Sequence, residues 1–536
     1  MTSREGRRSG WMPALMLVAL VLAAYRNSVA VPFLFDDYRK IVEEPAVHRL
    51  WPWSAVLGGT VRPVSRLTYA LNYVAGGLDP SGYHAVNLLV HLLAALTLLG
   101  IVRRTACGPR GGLLESHAGW FGFACAALWA VHPLQTSAVT YLIQRDESLM
   151  GLFALVTLWA AIRSVTSPRP GRWTAMAALA CTLGMATKPV MATVPLVVLC
   201  YDRVFLAGSF LTALRMRSKL YGMLAASWLV LAGLLWAGRD EYSYGAGFWF
   251  REVSWWDYVR TQPGVILQYL RLAVWPQGLT FDYQWPVATT PAAVVLPTLA
   301  LTALLAMMGW AWRHRPTLGF LGVWVGLTLA PSSSVIPILD LAFEHRMYLP
   351  LAGLTILAVV GAAGGLHRLL PAQERLRRTA ARVLLAAVLG GLGTATTLRN
   401  AVLADPVTLW RQTVAQRPGN PRAHSNLGQA LAARGDLIGA VREFAIALEL
   451  KPDYADARYN LASVFGPLGL WPETAVLLLQ TIRLNPHHAA AYGNLAIALG
   501  VLGRPDEAAL ALQRARARSP DAPERLRLPE SFQQTP

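Results

Sequence analysis

Two adjacent carboxylates, Asp36 and Asp37, stand in the segment VPFLFDDYRKIVEEP, shortly after an apolar run from Trp11 to Ala24 and beside Phe33 and Phe35. Carboxylates at a membrane border are costly to dehydrate, so a pair kept there points to work rather than packing. General-base catalysis and ligation of a divalent metal are the two chemistries open to it. An isolated Asp-Asp is a weak motif, equally at home in a solvated loop. Its company gives it weight: between other apolar runs lie Arg62, His84, His132, Arg145 with Asp146 and Glu147, Lys188, and the trio Glu344, His345 and Arg346. Cations at the border suit a phosphate, and apolar helices beside them suit a long hydrocarbon tail. The pattern suggests group transfer from a lipid phosphate.

Each of these residues has a plainer reading. His84, His91 and His132 at helix ends read as packing residues, Arg145 beside Asp146 as a local ion pair, and Lys188 as a side chain snorkelling to the interface. Arg346 is the strongest cation candidate, because EHRMYLP places it just before an apolar run.

The elements that must position these groups are membrane helices. Of 536 residues, 54% are hydrophobic and 15% charged, with 19 Trp, which does not describe a water-soluble chain. The net charge of +18 comes from short basic clusters between apolar runs, the arrangement of cytoplasmic membrane loops rather than of a nucleic-acid surface. Four cysteines without CxxC or other ligand spacing support neither a disulfide framework nor a zinc site. After the first run, taken as an uncleaved span, candidate spans fall at 84–102, 119–138, 148–163, 173–187, 189–201, 220–237, 291–312, 317–336, 348–366 and 380–398, making about eleven. With the N-terminus and its Arg4, Arg7 and Arg8 inside, every Lys/Arg cluster (103–110, 163–172, 203–219, 313–315 and 368–382) falls on the same side. The acidic pair, the other polar segments and everything after about Leu398 then lie outside. The segment QPGVILQYLRLAVWP, interrupted by Gln268 and Arg271, reads as an amphipathic helix at the outer interface, and the Trp-rich stretch before it as an interfacial belt.

The last quarter is a repeat. Residues 421–454, 455–488 and 489–522 align at a period of 34, matching Asn426, Asn460 and Asn494, then Gly435, Gly469 and Gly503, then Pro452, Pro486 and Pro520. They resemble tetratricopeptide repeats (TPRs), preceded by what reads as a half-repeat ending at Pro418 and followed by a tail over 523–536. The expected architecture is all-α: a multispanning helical bundle over 1–400 and a TPR α-solenoid over 401–522, whose concave groove suits an extended acceptor peptide or partner.

The motifs FLFDDY, RPVSRLTYALNYVAGGLDPSGYHAVNLLVHLL, LWAVHPLQTSAVTYLIQRDESLMGLFAL, ATKPVMATVPLVVLCYDRVF, LRLAVWPQGLTFDYQWP and FEHRMYLPLAGL, followed by TPRs, resemble the TPR-bearing integral membrane O-mannosyltransferase-like proteins of the GT-C glycosyltransferase class. The resemblance covers nearly the whole chain. It implies catalytic carboxylates in the first outer loop, a polyprenyl-phosphate-linked sugar as donor, TPRs on the outer side, and a reaction that needs no metal. One departure is Thr187-Lys188-Pro189, where related sequences often have Ser-Lys-Glu, so an acid after the lysine is absent here.

The mechanism expected on this reading is a single, inverting displacement. Asp36 or Asp37 accepts the proton of a Ser or Thr hydroxyl of a translocated protein, a role typically worth about 100- to 10,000-fold. Cations among Arg145, Lys188, His345 and Arg346 hold the phosphate, with Arg62, Asp146, Glu147 and Glu344 also in the substrate-binding site. The chain is expected in a bacterial inner membrane, with the periplasm or its equivalent outside. A TPR scaffold without catalysis is the rival from another class. A transporter is disfavoured because the halves show no inverted repeat.

Overall fold

The computed structural model describes residues 11–108, 115–239, 247 and 253–518. The expected roles of Arg4, Arg7, Arg8 and Arg110, most of the Trp-rich belt before Ser254, and the tail lie outside the described residues. The chain divides into two units, Met1–Leu279 with Trp285–Ala404, and Thr280–Gln284 with Asp405–Pro536.

The first unit is built from helices α1 (Met12–Ala24), α2 (Pro63–Gly76), α3 (Pro80–Cys107), α4 (Glu115–Ala130), α5 (Arg145–Thr166), α6 (Pro170–Met185), α7 (Val194–Tyr201), α8 (Ser218–Ala237), α9 (Trp255–Val274), α10 (Pro291–His314), α11 (Pro316–Leu329), α12 (Pro350–Leu369) and α13 (Glu374–Leu403). Proline opens many of them, at the position where a missing N–H costs nothing and the fixed φ suits the first turn. Caps reinforce several starts: Asp79 accepts from the Ser81 N–H, Ser254 from Asp257 and Thr290 from Ala293.

Among the described residues, eight helical stretches are long and apolar enough to cross a membrane, against about eleven expected. The difference lies at 119–138, 173–187 and 317–336. All three are helical but short, and each is stopped where proline enters: before Pro133, before Pro189 and at Pro331. The stretch after Lys188 is a span of its own, Pro189–Ala207. Helix α9 is amphipathic as expected. It buries Tyr258, Thr261, Val265, Tyr269 and Leu272 at helical spacing, while Trp255, Trp256 and Val274 are exposed.

The second unit begins with α14 (Pro406–Gln416), the half-repeat, and continues as three helix pairs: α15 (Pro421–Ala433) with α16 (Leu437–Leu450), α17 (Ala455–Phe465) with α18 (Trp471–Leu484), and α19 (Ala489–Val501) with α20 (Pro505–Arg518). Gly435, Gly469 and Gly503 turn the chain within the pairs at φ of 85°, 79° and 72°, a region that side chains with a Cβ avoid. Ala440, Ala475 and Ala508 are buried where the helices approach closely. The short segment Thr280–Gln284 belongs to this unit. Asp282 forms a two-pronged ion pair with Arg422, both contacts at 2.6 Å, its carbonyl accepts from the Asn420 amide, and Phe281 meets Trp410 edge to face.

Candidate active site

Asp36, Asp37, Arg62, Arg145, Asp146, Glu147 and Lys188 all lie on or bond to one stretch, Tyr141 to Glu147. The stretch is a tight turn, Leu142–Gln144, running into α5. Its carbonyls are held from two sides: the Tyr69 hydroxyl donates to those of Leu142 (3.2 Å) and Ile143 (2.8 Å), and the Asn87 amide to that of Val139 (3.1 Å). Behind the turn, Arg145 is completely buried. Its Nε donates to Asn87 Oδ1 at 2.6 Å, Nη1 to the Thr68 carbonyl and hydroxyl, and Nη2 to the Tyr83 carbonyl, while the guanidinium lies over the Tyr69 ring. These bonds use all three guanidinium nitrogens. Arg145 was expected at the substrate phosphate; instead its donors are spent inside the protein, where they lock the turn.

The turn reaches both aspartates and treats them differently. Asp37 is fully buried: Oδ2 accepts the Leu34 N–H at 2.8 Å and Oδ1 the Ile143 N–H at 2.7 Å. Burial pushes its carboxyl up to about 8, against the pull of these two N–H groups. Asp36 keeps 38% of its side chain exposed and lies 3.6 Å from Arg39. The Tyr141 hydroxyl accepts the Asp36 N–H at 3.1 Å and is hydrogen-bonded to the Asp36 side chain as well. Between the strands of this arrangement Phe35 takes a positive φ of 43°, uncommon for a bulky residue and a mark of a conformation imposed by its surroundings.

The first turn of α5 next presents two acids, each paired with a cation from elsewhere. Asp146 Oδ2 meets Arg62 Nη1 at 2.5 Å, and Glu147 Oε2 meets Lys188 Nζ at 2.6 Å. Asp146, Glu147 and Lys188 are largely out of water, whereas Arg62 retains 38% exposure. Ion pairs this buried are expensive to break from one side. His345 is buried against Phe343, its rings 5.0 Å apart, and its Nδ1 has no hydrogen-bond partner. Burial, then the charges of Lys188, Arg346 and Arg62, hold its imidazole neutral, well below its ordinary range. Glu344 lies 3.9 Å from Arg399, so it is part of an internal contact.

Arg346, the strongest cation candidate in the sequence, is a clamp. Nη1 donates to the carbonyls of Ser332 (2.9 Å) and Leu341 (3.0 Å), and Nη2 to that of Asp340 (2.5 Å). It ties the loop between α11 and α12 to itself. The histidines expected to pack do so. His84 bonds the Val31 carbonyl, His91 the Tyr348 hydroxyl and the Ala130 carbonyl, and His132 the Ala273 carbonyl.

An apolar groove of about 620 Å³ runs between α9, α10, α11 and α12, from Trp310 at one end to Ser333 and Ser334 at the other. The Ser333 hydroxyl is buried without a partner. Beside the ion pairs is a smaller polar cleft of about 60 Å³, lined by Lys40, Thr60, Arg62, Arg66, Tyr69 and Asp146.

No family model matches the chain. Its sequence is 25% identical over 555 residues to protein O-mannosyl-transferase Tmtc1 of Drosophila melanogaster, an overlap of 83% of this chain and 62% of that protein. It is 26% identical over 210 residues to human protein O-mannosyl-transferase TMTC3 and 30% over 206 residues to mouse TMTC2, covering 36% and 35% of this chain. The chain is similar to the protein O-mannosyl-transferases. It spans 62% of the length of the fly O-mannosyl-transferase, and its matches to the human and mouse proteins cover 22% and 23% of theirs. Among solved structures, ArnT from Cupriavidus metallidurans bound to undecaprenyl phosphate superposes with a TM-score of 0.42 at 16% identity, over 78% of this chain and 81% of ArnT. MamA gives 0.21 at 21% identity, over 30% of this chain and 89% of MamA. Superpositions at those scores carry no functional argument.

Tyr141, Tyr69 and Asn87 were not singled out in the sequence, although they position the site. Asn87 had a detectable signal: an amide within an apolar helix needs a partner. Tyr141 had none beyond its place beside QRDE.

Proposed function

We propose that the chain is a membrane glycosyltransferase of GT-C type that moves a hexose, mannose being the first candidate, from a polyprenyl phosphate to Ser or Thr hydroxyls of proteins on the outer face. The observation that carries this reading is the contrast within the acidic pair: Asp37 is consumed as a buried anchor, while Asp36 is oriented yet reaches the surface. In the proposed reaction Asp36 accepts the acceptor's hydroxyl proton as that oxygen attacks the anomeric carbon. The bond from that carbon to the phosphate oxygen breaks with inversion, and the polyprenyl phosphate leaves as a dianion. Arg62, Lys188 and the unpartnered Nδ1 of His345 are the groups suited to meet it, and the ion pairs with Asp146 and Glu147 hold the two cations in place beforehand. The apolar groove ending at Ser333 fits the hydrocarbon tail. The site's outer placement is supported by the one-sided basic clusters, and the TPR groove is the surface suited to the acceptor.

The test is intact-mass glycoproteomics of envelope proteins from cells carrying the natural chain, a deletion, or Asp36→Asn at matched expression. A hexose mass lost from the same proteins in both altered strains is the expected result. Unchanged masses in the deletion, or full glycosylation with Asp36→Asn, would sink the reading; in the first case a TPR scaffold becomes the better account.

A further inference from the structure

We propose that Tyr141 is a positioning residue for Asp36, an assignment that rests on Asp36 being the base. Three features support it. First, the Tyr141 hydroxyl binds Asp36 twice, accepting its backbone N–H at 3.1 Å and bonding its side chain, so it fixes both the position and the rotamer of the carboxylate. Second, the phenol is 5% exposed, and burial followed by the charge of Asp36 keeps it protonated, hence a donor toward the carboxylate. Third, the backbone around it is rigid. The Gln144 N–H bonds the Tyr141 carbonyl, Tyr69 and Asn87 hold the carbonyls on either side, and the Thr140 hydroxyl donates to Asn400.

The positive φ of Phe35 fits the same picture. Asp37 anchors the loop from one side through Leu34 and Ile143, and Tyr141 draws Asp36 from the other, so the residue preceding the pair is forced into an unfavourable backbone conformation. Preorganisation of this kind acts on turnover more than on binding, because a base displaced by about 1 Å can lose on the order of a hundredfold in rate. A donor to the ionised carboxylate also favours that form, so removing it raises the pH at which the base becomes protonated.

The experiment uses membrane vesicles holding the full chain, mannosyl-phosphoryl-undecaprenol as donor and the acceptor protein that the deletion comparison identifies. Tyr141→Phe keeps the ring and removes the hydroxyl. The expected result is a fall in kcat on the order of tenfold to a hundredfold, KM for the donor unchanged, and the acid limb of the kcat profile moved to higher pH. Difluorotyrosine introduced at 141 fills nearly the same space with a more acidic hydroxyl, and is expected to move that limb the other way. Should Tyr141→Phe fail to fold, the fluorinated side chain decides alone. A natural kcat and an unmoved acid limb in the folded variants would overturn the positioning role while leaving Asp36 as base. Activity retained by Asp36→Asn would overturn the assignment of the base instead.

Discussion

Asp37 Oδ1 accepts the N–H of Ile143 at 2.7 Å, joining the loop after the first span to the start of α5 across 106 positions of sequence. That bond separates two neighbours with the same side chain. Asp37→Asn points an amide N–H at one of two backbone donors, leaving a buried group unsatisfied, and is expected to cost about 1–3 kcal/mol of stability. Asp36→Asn is expected to leave the unfolding midpoint of the detergent-solubilised chain unchanged and to remove transfer. Measuring midpoint and transfer rate for both variants checks the division; equal effects on the two quantities would refute it.

Stability should follow pH in two opposed windows. With its folded value raised to about 8 from the ordinary 3.8, Asp37 keeps its proton in the fold while the unfolded chain releases it, so its contribution falls as pH rises from about 4 to about 8. His345 is held neutral in the fold, whereas the unfolded imidazole takes a proton below its ordinary 6.5, so its contribution is present above that value and is lost as pH falls. Unfolding midpoints across this range, for the natural chain and for Asp37→Asn and His345→Gln, are expected to show each substitution flattening its own window.

Lys188 and Glu147 form a pair in which each partner compensates the burial of the other. Lys188→Met leaves a buried carboxylate alone and is expected to destabilise by about 3–5 kcal/mol. Adding Glu147→Gln should recover most of that loss, since no uncompensated charge remains. Transfer should not recover, because the cation is gone. A double variant that is both stable and fully active would remove Lys188 from the phosphate site.

Arg145→Lys is expected to act on the fold. The ammonium cannot reach Asn87, Thr68 and Tyr83 together, and losing two charge-assisted bonds at about 1.5–3 kcal/mol each is enough to release the turn that carries the site. Loss of monodisperse protein, rather than a raised KM for the donor, is the outcome to look for in size-exclusion chromatography and kinetics. A folded variant with only a raised KM would return Arg145 to the substrate.

The architecture was legible because its signals are repetitive: apolar runs of membrane length, proline at their starts, and a period of 34 residues with glycine at each turn. The site was legible only in part, for a physical reason. Residue type shows that Arg145 and Arg346 carry donors, but not whether backbone carbonyls have consumed them, and in both cases they have. Asp36 and Asp37 were indistinguishable for the same reason. Their difference comes from N–H groups at Leu34 and Ile143, which every non-proline residue possesses. The shortened spans were harder to see because proline is tolerated among apolar residues while still ending the helix.

The segment Thr280–Gln284 has a consequence for how the chain is made. Asp282 leaves the ribosome 140 positions ahead of Arg422, the residue it pairs with. During synthesis that carboxylate must wait until the whole remaining membrane unit has emerged before its partner exists. The later helix pairs are assembled from near neighbours in the chain and can close as they appear. The first is sealed by a stretch made long before it, so the solenoid is completed only when an early and a late part of the same molecule meet.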